Sequence, residues 1–123
     1  MAKKIEFLLT PIDCINALKI LHFIMKSNLF KTDLSFLVNT IKKQIDPISD
    51  FYDHIIVRFT LIEAILLLDI VRSFYKKTPE KNYQIKHLAK SMDIQLYYQS
   101  TPELRQEAVD KFDMENLLKE AGI

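Results

Sequence analysis

Apolar residues recur at helical spacing along most of this chain. Ile12, Ile15, Leu18, Leu21 and Met25 follow a period near 3.6, and Ala17, Ile20 and Ile24 widen the stripe. This pattern predicts a first helix from Pro11 to Ser27, deeply buried on one side. Leu34, Leu37, Ile41 and Ile45 predict a second, from Thr32 or Asp33 to Gln44. The third and longest pattern starts at Pro47 and continues to Lys76 or Lys77. One of its stripes holds Ile48, Tyr52, Ile55, Phe59, Ile62, Leu66, Ile70 and Phe74, and another holds Val57, Leu61, Leu68 and Val71. Read as one helix it is about 45 Å long. It is apolar nearly all round, which predicts a central post or a surface buried in an oligomer. A fourth helix is expected from Pro79 to Met92, with Tyr83, Leu88 and Met92 inward. A fifth follows Thr101, with Leu104, Ala108 and Phe112 on one face, and a last short one follows Asp113. Lys4 to Leu9 reads as a short extended or coiled lead-in, and residues 93–99 as either extended or helical.

The prolines support this division. All four follow a helix-capping residue: Thr10-Pro11, Asp46-Pro47, Thr78-Pro79 and Thr101-Pro102. Proline suits the first helical position, where its missing N–H has no intrahelical partner to lose. Thr and Asp side chains accept from the orphan N–H groups of the first turn. Thr10 with Asp13 also approximates a capping box. No internal repeat is apparent. The expected fold class is therefore all-α: a single domain over residues 1–123, a bundle of five or six helices around the long helix from Pro47 to Lys77.

Composition narrows the chemistry. A single glycine in 123 residues excludes a glycine-rich phosphate loop. A lone cysteine, Cys14, excludes an internal disulfide and a cysteine-based zinc site. Cys14 falls on the buried side of the first helix and reads as a small core side chain. His22, His54 and His87 fall on three separate predicted helices, which does not make a metal site. No cofactor is expected. The most apolar segment, Ile55 to Val71, contains Arg58, Glu63 and Asp69, which argues against a membrane span. A soluble, cytoplasmic protein is expected.

Net charge is +1, but it is unevenly spread. Residues 72–90 carry Arg72, Lys76, Lys77, Lys81, Lys86 and Lys90 against Glu80 alone, with Tyr83 among them. Residues 101–123 are acidic and could mask that stretch by folding over it. Glu63 stands among Phe59, Leu66 and Ile70 on the helical wheel. A carboxylate there needs a cationic partner, a registry role in an oligomer, or an acid–base task. Residues 85–94 partly match a helix-turn-helix, but the recognition helix would meet Pro102 too soon to lie in a major groove.

These readings favour a non-catalytic interaction or regulatory protein that binds another protein through a helical surface, with homodimerisation as one form. The alternative is a nucleic-acid-binding regulator using residues 72–90. The weakest alternative is a small helical enzyme using Glu63. The interaction candidates are Glu63, Arg72, Lys76, Lys77, Lys81, Tyr83, Lys86 and Lys90.

Overall fold

The computed structural model describes residues 4–26, 34–45, 54–77 and 82–111. Its elements run β1 (Ile5–Leu9), α1 (Pro11–Lys26), α2 (Ser35–Ile45), β2 (Ile55–Phe59), α3 (Leu61–Lys77), α4 (Tyr83–Gln99) and α5 (Pro102–Asp110). The protein is mostly helical, as the periodicity predicts. It also holds a two-stranded antiparallel sheet in which Ile5 faces Phe59 and Leu9 faces Ile55.

That sheet corrects the reading of one long helix from Pro47 to Lys77. Ile55-Ile56-Val57-Arg58-Phe59 is a strand, and helix begins only at Leu61. A short apolar run satisfies either period, and β-branched Ile55, Ile56 and Val57 tip it toward the strand. Both strands alternate buried and exposed residues. Ile5, Phe7, Leu9, Ile55, Val57 and Phe59 point into the core, while Glu6, Leu8, Ile56 and Arg58 point out. The rings of Phe7 and Phe59 meet with centroids 5.7 Å apart.

Helix α1 begins at a reciprocal capping box. Asp13 N–H donates to Thr10 Oγ1 (3.1 Å), and Thr10 N–H donates to Asp13 Oδ2 (3.2 Å). Helix α3 begins in the same way. Glu63 N–H donates to Thr60 Oγ1 (3.3 Å), and Thr60 N–H donates to Glu63 Oε1 (2.8 Å). Asn82 caps α4 through Gln84 N–H (2.8 Å), and Thr101 caps α5 through Leu104 N–H (3.1 Å), with Pro102 opening the helix. Helix α4 therefore starts at Tyr83 and not at the expected Pro79, because Asn82 is extended and supplies the cap. The residues expected to cap before Pro47 and Pro79, at Thr32 or Asp33, and at Asp113 lie outside the described residues. Helix α4 runs unbroken through residues 93–99, so no turn exists at Asp93 and the helix-turn-helix reading falls.

The element order contains an internal repeat that periodicity alone did not reveal. Strand β2 begins and ends 50 residues after β1 (5 to 55, 9 to 59), and α3 begins 50 after α1 (11 to 61). Ile5, Thr10, Ile12, Ile15, Leu18 and Ile20 recur as Ile55, Thr60, Ile62, Ile65, Leu68 and Ile70. The second helices match at an offset of 51. Leu37, Ile41, Gln44 and Ile45 answer to Leu88, Met92, Gln95 and Leu96. The molecule is thus two β-α-α halves whose strands pair antiparallel across a pseudo-twofold axis.

Each half closes the other's strand edge with a side-chain amide. From α4, Gln95 accepts from Leu8 N–H (2.6 Å) and donates to Leu8 C=O (3.1 Å). One turn later Gln99 accepts from Glu6 N–H (2.7 Å) and donates to Glu6 C=O (2.6 Å). From α2, Gln44 accepts from Arg58 N–H (2.6 Å) and donates to Arg58 C=O (2.8 Å). A primary amide presents the same donor and acceptor as a peptide group, so these glutamines stand where a third strand would pair.

Candidate functional site

Glu63, the residue that looked most anomalous in sequence, sits in the capping box of α3. Its second oxygen lies 3.4 Å from the Thr40 hydroxyl, whose shorter bond, at 2.8 Å, is to Phe36 C=O. The carboxyl group accepts from the Thr60 N–H and faces a helix N-terminus, which accounts for it without a cationic partner. Cys14 is 1% exposed, and its thiol is pushed up to about 11 by burial and, secondarily, by the adjacent Asp13 carboxylate. A thiol held protonated is a poor nucleophile. Among the described residues no three His, Cys, Asp or Glu side chains gather to hold a metal ion. His22 lies on α1, His87 on α4, and His54 precedes β2. No described helix is long and apolar enough to cross a membrane.

The basic stretch is divided by the α3–α4 hairpin. Arg72 donates to Asp93 Oδ1 at 2.7 Å, an ion pair half open to solvent. This contact sets the level of the two helices, so Lys76 and Lys77 lie at the same end of the hairpin as Lys86 and Lys90. All four lysines are exposed. Tyr83, the first residue of α4, is 83% exposed. Lys81 lies outside the described residues. The structure therefore places Tyr83, Lys86 and Lys90 along the outside of one helix, with Arg72 committed to a partner.

Sequence reasoning did not pick out the rest of that face. Ile94, Tyr97 and Tyr98 continue it, the two tyrosines 64% and 81% exposed, with their rings edge to face at 5.6 Å. The inward spacing of Ile85, Leu88, Met92 and Leu96 was the signal, since continuing it as helix turns Tyr97 and Tyr98 outward.

Helix α5 packs against α3 rather than over Lys86 and Lys90. Two of its acids are engaged locally: Glu107 pairs with Lys111 (2.6 Å), and Asp110 accepts from Gln106 (2.8 Å). Arg105 fixes the helix by donating to Ser100 O (3.1 Å) and Ser100 Oγ (2.7 Å), with its guanidinium 5.9 Å above the Tyr97 ring. Between α3, α4 and α5 lies a cleft of about 210 Å³, floored by Ile65, Leu68 and Leu96 and rimmed by Asp69, Asp93 and Arg105. No family model, curated protein or solved structure matches this chain.

Proposed function

We propose that this protein is a non-catalytic regulatory module that binds another protein through its helical surface. One observation carries the reading: large apolar side chains that the core does not use are collected on helix faces. Tyr83, Ile94, Tyr97 and Tyr98 crowd the outside of α4, while Ile12, Ile15 and Phe23 line the outside of α1. Tyrosine is enriched in protein interfaces because it offers a large rigid surface and a polar tip at low entropic cost.

The test is site-specific photo-cross-linking from Tyr98 in cells, compared with the same label at exposed Glu103. A discrete protein adduct at Tyr98, lost when Tyr83 and Tyr97 become alanine, supports the reading. Equal or absent labelling at both positions rejects it. Sedimentation at micromolar concentration decides whether the partner is a second copy, because a monodisperse monomer excludes homodimerisation.

Exposure of Lys86 and Lys90 beside Tyr83 favours a second reading, a nucleic-acid-binding face on α4. It predicts binding of random DNA or RNA that weakens steeply with salt, through counterion release. Charge reversal at Lys86 and Lys90 should then abolish binding. Absence of binding at low salt removes this reading.

A further inference from the structure

The pseudo-twofold axis allows one half to report on the other. In the second half, α5 lies over the groove between α3 and α4, above Ile65, Leu68 and Leu96. The equivalent positions in the first half, Ile15 and Leu18 of α1 and Ile45 of α2, mark out the corresponding groove by symmetry. No described helix covers it. The exposures record the difference. Ile15 is 44% exposed, whereas Ile65 is only partly so, and Leu18 is half-buried, whereas Leu68 is 3% exposed.

The groove has kept its apolar floor and changed its charge. The cleft under α5 is lined by Asp69 and by Asp93, the latter paired with Arg72. The equivalent positions in the first half are Lys19 and Lys42, both exposed. Arg72 is replaced by His22. An occupant seated like α5 would therefore have Lys19 and Lys42 beside it, at the positions where Asp69 and Asp93 line the cleft under α5.

We propose that the α1–α2 groove is a docking site for an acidic amphipathic helix of a protein partner, seated as α5 is seated on α3 and α4. The apolar stripe of that helix covers Ile15 and Leu18, and its carboxylates face Lys19 and Lys42. This is the helix-in-groove mode of recognition, with charge setting which helix is accepted. The inference rests on the protein-binding reading and names a site and a partner chemistry for it.

The experiment uses the full chain and two synthetic helical peptides of about 16 residues, roughly 24 Å of helix. Both carry one stripe of leucine and isoleucine; one is flanked by glutamate and the other by lysine. Fluorescence anisotropy should show the acidic peptide binding at least about tenfold more tightly than the basic one. Ile15→Asp should weaken the acidic peptide by about tenfold or more, as loss of a central apolar anchor does. Lys19→Glu with Lys42→Glu should reverse the preference between the peptides. All these positions are exposed, and unchanged thermal unfolding of the charge-reversed chain keeps the result interpretable if Ile15→Asp does not fold.

Equal binding of both peptides, or binding of neither, overturns the proposal. So does a DNA or RNA oligonucleotide that binds the wild-type chain more tightly than the acidic peptide, displaces it, and no longer binds the charge-reversed chain. A photo-cross-link from Ile15 that joins two copies of the chain assigns the groove to self-association instead. If the peptides fail while Tyr98 still yields a partner adduct, the groove assignment falls and the protein-binding reading stands. If both fail, both fall.

Discussion

At buried positions the two halves of the molecule nearly substitute for one another. Ile20 answers to Ile70, Leu21 to Val71, Leu37 to Leu88 and Ile41 to Met92, and all eight are buried. At exposed positions they do not. Lys19 stands where the second half has Asp69, Lys42 where it has Asp93, and Phe23 where it has Ser73. Among the described residues, α5 belongs to the second half alone. Core identity is what antiparallel strand pairing across a pseudo-twofold axis demands, since each half must fit the same interior. Surface divergence is free of that demand, so the positions where the halves part company are those where a binding role can reside.

The comparison breaks hardest at the centre. Phe7→Ala and Phe59→Ala should each lower stability by about 3–5 kcal/mol in urea unfolding, because each empties a large fully buried site. Their rings touch, so the double variant should cost less than the two losses added together. Simple additivity would mean that the two rings contribute independently.

The strand edges come next. Gln44→Ala and Gln95→Ala each remove a donor and an acceptor and should cost about 1–2 kcal/mol each. Hydrogen exchange sharpens the contrast. In Gln95→Ala the Leu8 amide should exchange faster while Glu6, still held by Gln99, stays slow. Fast exchange at both would make the two clamps one cooperative unit.

Caps are the smaller devices. Thr10→Ala and Thr60→Ala should each cost about 1 kcal/mol. Glu63→Gln should leave thermal stability within about 0.5 kcal/mol, because glutamine serves equally at this place in a capping box. A large loss would mean that the charge of Glu63 itself matters to the fold.

Cys14 gives a difference with a sign in pH. Its thiol titrates near 11 in the fold against an ordinary 9.0. Below pH 9 both native and unfolded chains hold the proton, and the contribution is complete. Between pH 9 and 11 only the unfolded chain releases it, so stability falls, by up to about 2 kcal/mol. Cys14→Ala, which copies Ala64 of the second half, should remove this component of the alkaline slope. An unchanged slope would assign it to other groups.

Much of this arrangement can be read from local sequence. The spans of α1 and α2, the capping at Thr10 and the Thr101-Pro102 start of α5 all follow from periodicity and cap chemistry. Residues 55–59 did not, because five apolar-rich residues fit a helical stripe as readily as a strand face. The Thr60-x-x-Glu63 pattern held the correction. It matches Thr10-x-x-Asp13 and marks a fresh helix start, so Glu63 needed no salt bridge to explain it. Lys86 and Lys90 were legible as a basic face, whereas Tyr83, expected inward with Leu88 and Met92, turns outward because α4 starts at Tyr83 and buries Ile85 instead. Tyr97 and Tyr98 were not legible either, since residues 93–99 carry too little periodicity of their own. The groove of α1 and α2 was invisible for a different reason. Its significance comes from its likeness to the groove under α5, and that likeness needs the strand pairing to align the halves.

The three glutamine amides also bear on what happens when many copies of this chain are crowded together. A pair of short strands with open sides would template the addition of further strands, and cross-β growth begins from such templates. Here Glu6, Leu8 and Arg58 offer no vacant peptide group to a newcomer, because an amide from the same molecule already occupies each one. The chain thereby supplies its own end-stops at these places, and the sheet remains two strands wide.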